Sequence, residues 1–141
     1  VCGTGELGDA LEALAYDLDL ADQVTFTGFV PDLGSLMGAF DLWLLVSHKE
    51  GLPYSILEAS TAGTAVLASN VGGIPDLVPD PAHLVRPTEI NEVRDALAAL
   101  ISDSALRQQR AAQQHAHVRT HFTRERMIAE TEALYRATKS D

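Results

Sequence analysis

Two kinds of apolar pattern alternate along the chain, and the alternation predicts its architecture. Residues 6–18 (ELGDALEALAYDL) place Leu7, Leu11, Leu14 and Leu18 on one face at helical spacing. Val1-Cys2 reads as the tail of a strand that runs into a glycine turn, and Val24-Thr25-Phe26-Thr27 as a strand stopped by Gly28. Pro31 and Asp32 open a short helix through Leu33, Leu36, Met37 and Phe40. Leu42-Trp43-Leu44-Leu45-Val46 is continuously apolar, which predicts a central strand covered on both faces. Pro53 stands where a helix begins, Ile56, Leu57, Ala59 and Ala62 supply its apolar surface, and Gly63 ends it. Ala65-Val66-Leu67-Ala68 is the next strand, and His83-Leu84-Val85 a short edge strand. Beyond Pro87 the period is helical throughout. One amphipathic helix carries Val93, Leu97, Leu100 and Ile101, a more polar one covers 104–121, and a third covers 124–137 with Met127, Ile128, Leu134 and Tyr135. Strands alternating with helices predict an α/β fold, an open, mostly parallel, Rossmann-like sheet flanked by helices and joined by right-handed crossovers.

Length and composition narrow this further. At 141 residues the chain supports one good core, so 1–141 is expected to be a single domain. A hydrophobic fraction of 46% against 21% charged excludes a disordered chain. No apolar run approaches the roughly 20 residues of a membrane span. The lone cysteine, Cys2, excludes an internal disulfide or a cysteine-rich metal knuckle, and the expected setting is reducing and cytoplasmic. Net charge is −10, and it is unevenly spread: residues 1–80 hold twelve acids and one base, Lys49. A nucleic-acid groove or an anionic-membrane face needs clustered Lys and Arg, so neither partner is expected.

Candidate chemistry concentrates in one segment, Ser47-His48-Lys49-Glu50-Gly51-Leu52-Pro53-Tyr54-Ser55-Ile56-Leu57-Glu58. It follows the most buried-looking strand and leads into a helix, the carboxyl-end location where open α/β sheets bind ligands. Gly51 lets backbone approach a ligand, and the first helical turn presents unpaired N–H groups at a positive dipole end. Glu50 and Glu58 flank that turn with seven residues between them, a separation suited to an extended polyhydroxy ligand with an anionic middle. Glu50 could instead complement the helix dipole, and Glu58 could be a solvated surface group. The apolar neighbours Ile56, Leu57, Ala59 and Ala62 favour a buried helix on which an ionised Glu58 needs partners. Val71-Gly72-Gly73-Ile74-Pro75-Asp76 is expected to form a second wall of the same cleft. Gly3-Thr4-Gly5 reads as a tight strand-to-helix turn, because Glu6 puts negative charge where a phosphate would sit. His115, His117 and His121 share one polar helix, where a solvated face is the simpler reading than a metal site, and no metal is expected. His48 lies in the cleft loop, within reach of a ligand.

Taken together, Glu50-Gly51-Leu52-Pro53, Glu58-Ala59, Ala62-Gly63 and Gly72-Gly73-Ile74-Pro75 resemble the carboxyl-terminal, nucleotide-sugar-binding domain of family 4 glycosyltransferases with the GT-B fold. The Gly3-Thr4-Gly5 turn, the segment VTFTGFVP from Val24 to Pro31 and the stretch from Phe122 to Tyr135 fit the same pattern, so the similarity covers nearly the whole chain. The resemblance implies a retaining transfer from a nucleoside diphosphate sugar without a bound metal or other cofactor. It implies Glu50 as the catalytic carboxylate on the donor sugar, Glu58 on the ribose hydroxyls, and Lys49 and the backbone around Gly51, Leu52, Pro53 and Tyr54 on the sugar and diphosphate. Phe29 and Val30 would lie beside the base. The chain departs from the pattern at Asp76, where Glu is usual, at Tyr54, which is larger than the common residue, and at 78–85, which lacks a glycine-bearing insertion.

Members of that family also carry a preceding strand and helix with an Arg and a Lys that clamp the diphosphate, and before these an acceptor-binding domain. The resemblance therefore implies part of a larger two-domain enzyme, inactive alone, whose sheet lacks its first strand. Exposed sheet edges of that kind are expected to distort the sheet, to pair in a homodimer that fills the gap, or to leave the chain unstable. A nucleotide-sugar epimerase of related fold and a non-catalytic nucleotide-binding module are the competing readings.

Overall fold

The computed structural model describes residues 1–138. The chain divides into two compact units, Val1–Leu33 and Gly34–Asp141. In the first unit, α1 (Gly8–Asp17) follows the glycine turn, and Asp19 at φ 56° reverses the chain behind it. The stretch expected as a strand at 24–27 is a correction. It makes no ladder, only an isolated parallel bridge between Cys2 and Gly28, with Thr27 N–H donating to Val1 O at 3.0 Å and Gly3 N–H to Gly28 O at 2.7 Å. Gly3, at φ 115°, thus serves as a strand-end turn. Only Ala15 of α1 is buried, and the leucine face read from the periodicity (Leu7, Leu11, Leu14, Leu18) is exposed. Periodicity identifies the face a helix can bury; it does not supply the surface that covers it.

The second unit holds a three-stranded parallel sheet in the order β1 (Leu42–Leu45), β2 (Ala65–Ser69), β3 (Leu84–Val85), preceded by a 3-10 helix over Leu33–Ala39. β1 pairs with β2 from Leu42↔Ala65 to Leu45↔Ala68, and β3 pairs only with Ala68 and Ser69. α2 (Tyr54–Thr61) connects β1 to β2, and the short α3 (Ile74–Leu77) leads away from β2. α4 (Ile90–Ser102), α5 (Ser104–His121) and α6 (Arg124–Ala137) follow. The α/β class and the parallel sheet flanked by helices are as the alternating pattern predicts. The position of β1 is not: β2, buried at all five residues, is the central strand, while β1 is an edge with Leu44 41% exposed. An apolar run records that a strand meets apolar surface, and it carries no information on how many strands lie beside it.

Helix α5 lies against both β2 and α2, burying Ala111, Gln114 and Val118 at spacings of three and four residues. Leu100 of α4 closes a core with Leu67 and Val85, and Leu42, Val93, Ala96, Leu97 and Leu106 pack around it. Side-chain caps define the last two helices: Asp103 accepts from Leu106 N–H at 2.9 Å, and Thr123 accepts from Arg126 N–H at 3.1 Å. Each such cap typically stabilises a helix by about 1 kcal/mol. α6 buries nothing, and its apolar residues Met127, Ile128, Leu134 and Tyr135 are exposed.

Candidate functional site

The loop after β1 is shaped by the strand beside it. Backbone pairing between β1 and β2 stops at Leu45↔Ala68. One residue further, the buried Ser69 hydroxyl accepts from Ser47 N–H at 2.6 Å and donates to Leu45 O at 3.3 Å. The loop then runs through His48 and Lys49, both exposed, to the half-buried Glu50. Gly51 O accepts from Gly73 N–H at 2.8 Å, which ties the end of this loop to the loop after β2.

Gly72 and Gly73 permit that approach. A Cβ on Gly72 would stand 1.8 Å from Glu50 O, and one on Gly73 2.6 Å from Gly51 O. Gly72 also sits at φ 56°, a conformation that favours glycine. The two loops expected as opposite walls of one cleft are therefore in direct backbone contact at one rim of the sheet.

Helix α2 starts at Tyr54 with Pro53 as its N-cap, which offers no side-chain acceptor to the first turn. Its amide donors and positive dipole end are left for an anion or for solvent. α2 buries Ile56, Ala59 and Ser60, and this corrects the expectation for Glu58. Glu58 is exposed, because two residues of helix carry it about 200° round from Ile56. Its carboxylate lies over the bare Cα of Gly34, where an added Cβ would come 3.2 Å from Cδ and 3.3 Å from Oε1. Neither the Glu50 nor the Glu58 carboxylate makes a hydrogen bond or ion pair among the described residues, and neither residue is sealed from solvent. Both carboxylates keep free acceptor capacity for hydroxyl groups.

Leu52 and Tyr54 also belong to a second surface. They line a groove of about 870 Å³ with Leu57, Phe122, Met127 and Leu134, and Tyr54 is 73% exposed. Phe29, 74% exposed, and Val30 belong to the unit Val1–Leu33; the geometry described here is built from residues beyond it.

Two of the histidines on α5 hold the scaffold. His115 Nδ1 lies 3.1 Å from Ser60 O, at the end of α2, and His117 Nε2 lies 2.8 Å from Asp76 O, in α3. Both are half-buried, so the expected solvated face holds only in part. No group of three or more His, Cys, Asp or Glu is placed to hold a metal among the described residues. Sequence reasoning passed over Ser69 and Gln114, and their only signal is a hydroxyl closing a buried strand and an amide on the inner face of a polar helix.

His83 joins Gln114 in a buried polar cluster. Gln114 Nε2 lies 3.4 Å from His83 Nδ1, and His83 Nε2 lies 3.4 Å from Asp80 Oδ2. Burial pushes the imidazole pKa below its ordinary value, the nearby Arg110 charge adds to the shift, and Asp80 opposes it. A neutral ring with its proton on Nε2 accepts from Gln114 and faces Asp80, which satisfies both contacts.

Comparison with known proteins bears directly on this arrangement. Residues 1–117 match the family described as Glycosyl transferases group 1. The chain is 28% identical over 124 residues to N-acetyl-alpha-D-glucosaminyl L-malate synthase of Bacillus anthracis, covering 86% of this chain and 32% of that protein. It is similar to the solved C-terminal domain of a glycosyl transferase group 1 family protein (LpcC) from Francisella tularensis, with a TM-score of 0.75 and 31% identity, over 84% of this chain and 64% of that one. It is also similar to Anabaena HepE, solved in complex with UDP and glucose, with a TM-score of 0.80 and 25% identity, over 99% of this chain and 40% of that one. The chain spans about a third of the length of the curated relatives it matches. Its structural neighbours are GT-B glycosyltransferases. With a family match over most of its length and a parallel α/β sheet whose glycine-bearing loops meet at Gly51 and Gly73, the chain belongs to the group 1 glycosyltransferases.

Proposed function

We propose that this chain is the donor-binding domain of a retaining, family 4 glycosyltransferase that transfers a sugar from a nucleoside diphosphate sugar. Glu50 contacts the donor sugar as the catalytic carboxylate, and Glu58 accepts from the ribose hydroxyls. Uncapped amides at Tyr54 and Ser55 and the backbone of Gly51 and Leu52 meet the diphosphate, with Lys49 the nearest cation in sequence. The observation that carries this reading is that the carboxylates of Glu50 and Glu58, which flank the uncapped amino end of α2 in sequence, are both without a partner among the described residues. HepE, which was solved with UDP and glucose, shares the fold over 99% of this chain, and that supports the donor class.

Hydroxyl groups and main-chain amides carry this recognition, so no metal or cofactor is required by it. In the reading proposed here the chain is the carboxyl-terminal part of a two-domain enzyme and does not transfer sugar alone. A doubly charged diphosphate is poorly served by one lysine among twelve acids in residues 1–80, and helix dipoles supply only about 0.3–1 kcal/mol each at exposed sites. The acceptor domain and a basic clamp come from the rest of that enzyme. Pairing through the free edge of β1 is the form a homodimer of the isolated chain takes.

The test is a transfer assay on the full-length protein with UDP- and GDP-sugars. Glu50→Ala and Glu58→Ala are each expected to lower kcat/KM at least a hundredfold and tenfold, respectively. Unchanged transfer in both variants rejects the assignment. Product analysis in the same assay separates transfer from epimerisation, and the anomeric configuration of the product checks retention.

A further inference from the structure

The loop that carries Glu50 is held at two points by one short segment of β2 and its following loop. At the near point the Ser69 hydroxyl takes Ser47 N–H at 2.6 Å and gives its own proton to Leu45 O at 3.3 Å. At the far point Gly73 N–H reaches Gly51 O at 2.8 Å. Between them Gly72 lies under the Glu50 carbonyl, with no room for a Cβ. Residues 47–51 and 69–73 thus form a closed frame, clasped once by a side chain and once by backbone.

Ser69 is fully buried, and its backbone is already engaged: the residue is in register with Val85 of β3, and its carbonyl accepts from Val71 N–H at 3.0 Å. Its side chain is thus the one group left to extend the β1–β2 pairing a step beyond the ladder. An apolar residue here would satisfy packing equally well but would strand Ser47 N–H. We infer that Ser69 is a positioning residue for Glu50: its hydroxyl is the rung that locks the β1 loop onto the β2 loop and sets where the Glu50 carboxylate stands. This rests on the reading of Glu50 as the group that meets the donor sugar. Because the frame is closed, loss of the near clasp frees the far one, and the effect is felt at Gly51 and Gly73 as well as at Ser47.

The experiment compares the ¹⁵N-labelled full-length protein and its Ser69→Ala and Ser69→Cys variants by amide exchange and by titration with UDP-glucose, GDP-mannose, UDP and GDP. Faster amide exchange is expected at Ser47 and also at Gly73 in the variants. Affinity for the nucleotide sugar that the unsubstituted protein binds is expected to fall at least fivefold, and affinity for the matching nucleoside diphosphate less than twofold. Cysteine keeps the size of serine and weakens the hydrogen bonds, so it carries the comparison if alanine prevents folding. Equal losses for nucleotide with and without sugar overturn the inference, as does an exchange effect confined to Leu45 and Ser47. If the unsubstituted full-length protein responds to neither sugar nucleotide, the donor reading fails, and an unchanged Gly73 amide then overturns the clasp independently.

Discussion

Gln114 lies against Val66 as a strand would. Its Oε1 accepts from Val66 N–H at 2.9 Å, and its Nε2 donates to Val66 O at 3.2 Å, across 48 residues of sequence. The need arises because β3 pairs with only the last two residues of β2, leaving the buried front of the central strand without a backbone neighbour on that side. Gln114→Ala strands both polar groups of Val66, and a buried unsatisfied group costs about 1–3 kcal/mol. Urea unfolding is expected to show a loss of about 3 kcal/mol. A loss below about 1 kcal/mol would mean that water replaces the amide without penalty.

Burial makes stability depend on pH through His83, whose ring lies beside the same amide. The native pKa lies below the ordinary value of 6.5, so the unfolded chain binds the proton first. The contribution is fully present above about pH 6.5 and is lost as pH falls toward the native pKa. Protonation of Nδ1 also turns an N–H against the Gln114 donor. Urea midpoints for the chain and for His83→Gln, compared from pH 8 to pH 5, are expected to keep a constant difference above neutrality and to converge in acid. A difference that widens in acid has the wrong sign for a neutral buried imidazole.

Gly63 and Gly72 both sit at positive φ, 78° and 56°, but only Gly72 faces a wall. Gly63→Ala meets nothing within 4 Å, so it carries conformational strain alone, about 1–2 kcal/mol. Gly72→Ala adds a Cβ 1.8 Å from Glu50 O and must displace one of the two loops. A loss clearly larger than that of Gly63→Ala is expected in thermal unfolding, together with abolished sugar transfer in the full-length enzyme. Equal losses would show that the loops part easily.

Gly34 offers a way to move Glu58 without removing its charge. A methyl at Gly34 comes within 3.2–3.3 Å of the carboxylate, the far end of a flexible side chain that can give way at small cost. Gly34→Ala is expected to leave the unfolding midpoint unchanged and to weaken nucleotide-sugar binding severalfold, which a calorimetric titration of the full-length enzyme would detect. Unaltered affinity would remove Glu58 from the proposed ribose contact.

Much of this was legible from residue order. Helical period and apolar runs located α2, α4, α5 and α6 and the strands β1 to β3, because both signals come from residues a few positions apart. The glycines at 72 and 73 and the two glutamates with seven residues between them marked the site for the same reason: backbone permissiveness and spacing along the chain are local properties. The extended segment at 24–27 was overread, since alternation describes a strand's readiness to pair and not the presence of a partner.

Tertiary structure decided everything that depends on which segments meet. It made β2 the central strand and β1 an edge, although β1 is the more continuously apolar of the two in sequence. It turned Glu58 to solvent over Gly34, placed the Ser69 hydroxyl at the root of the Glu50 loop, and brought Gln114 to Val66. A hydrogen bond across tens of residues depends on angles accumulated over every intervening turn. Composition and period describe what each segment can bury or bond, and only the folded chain assigns the partner.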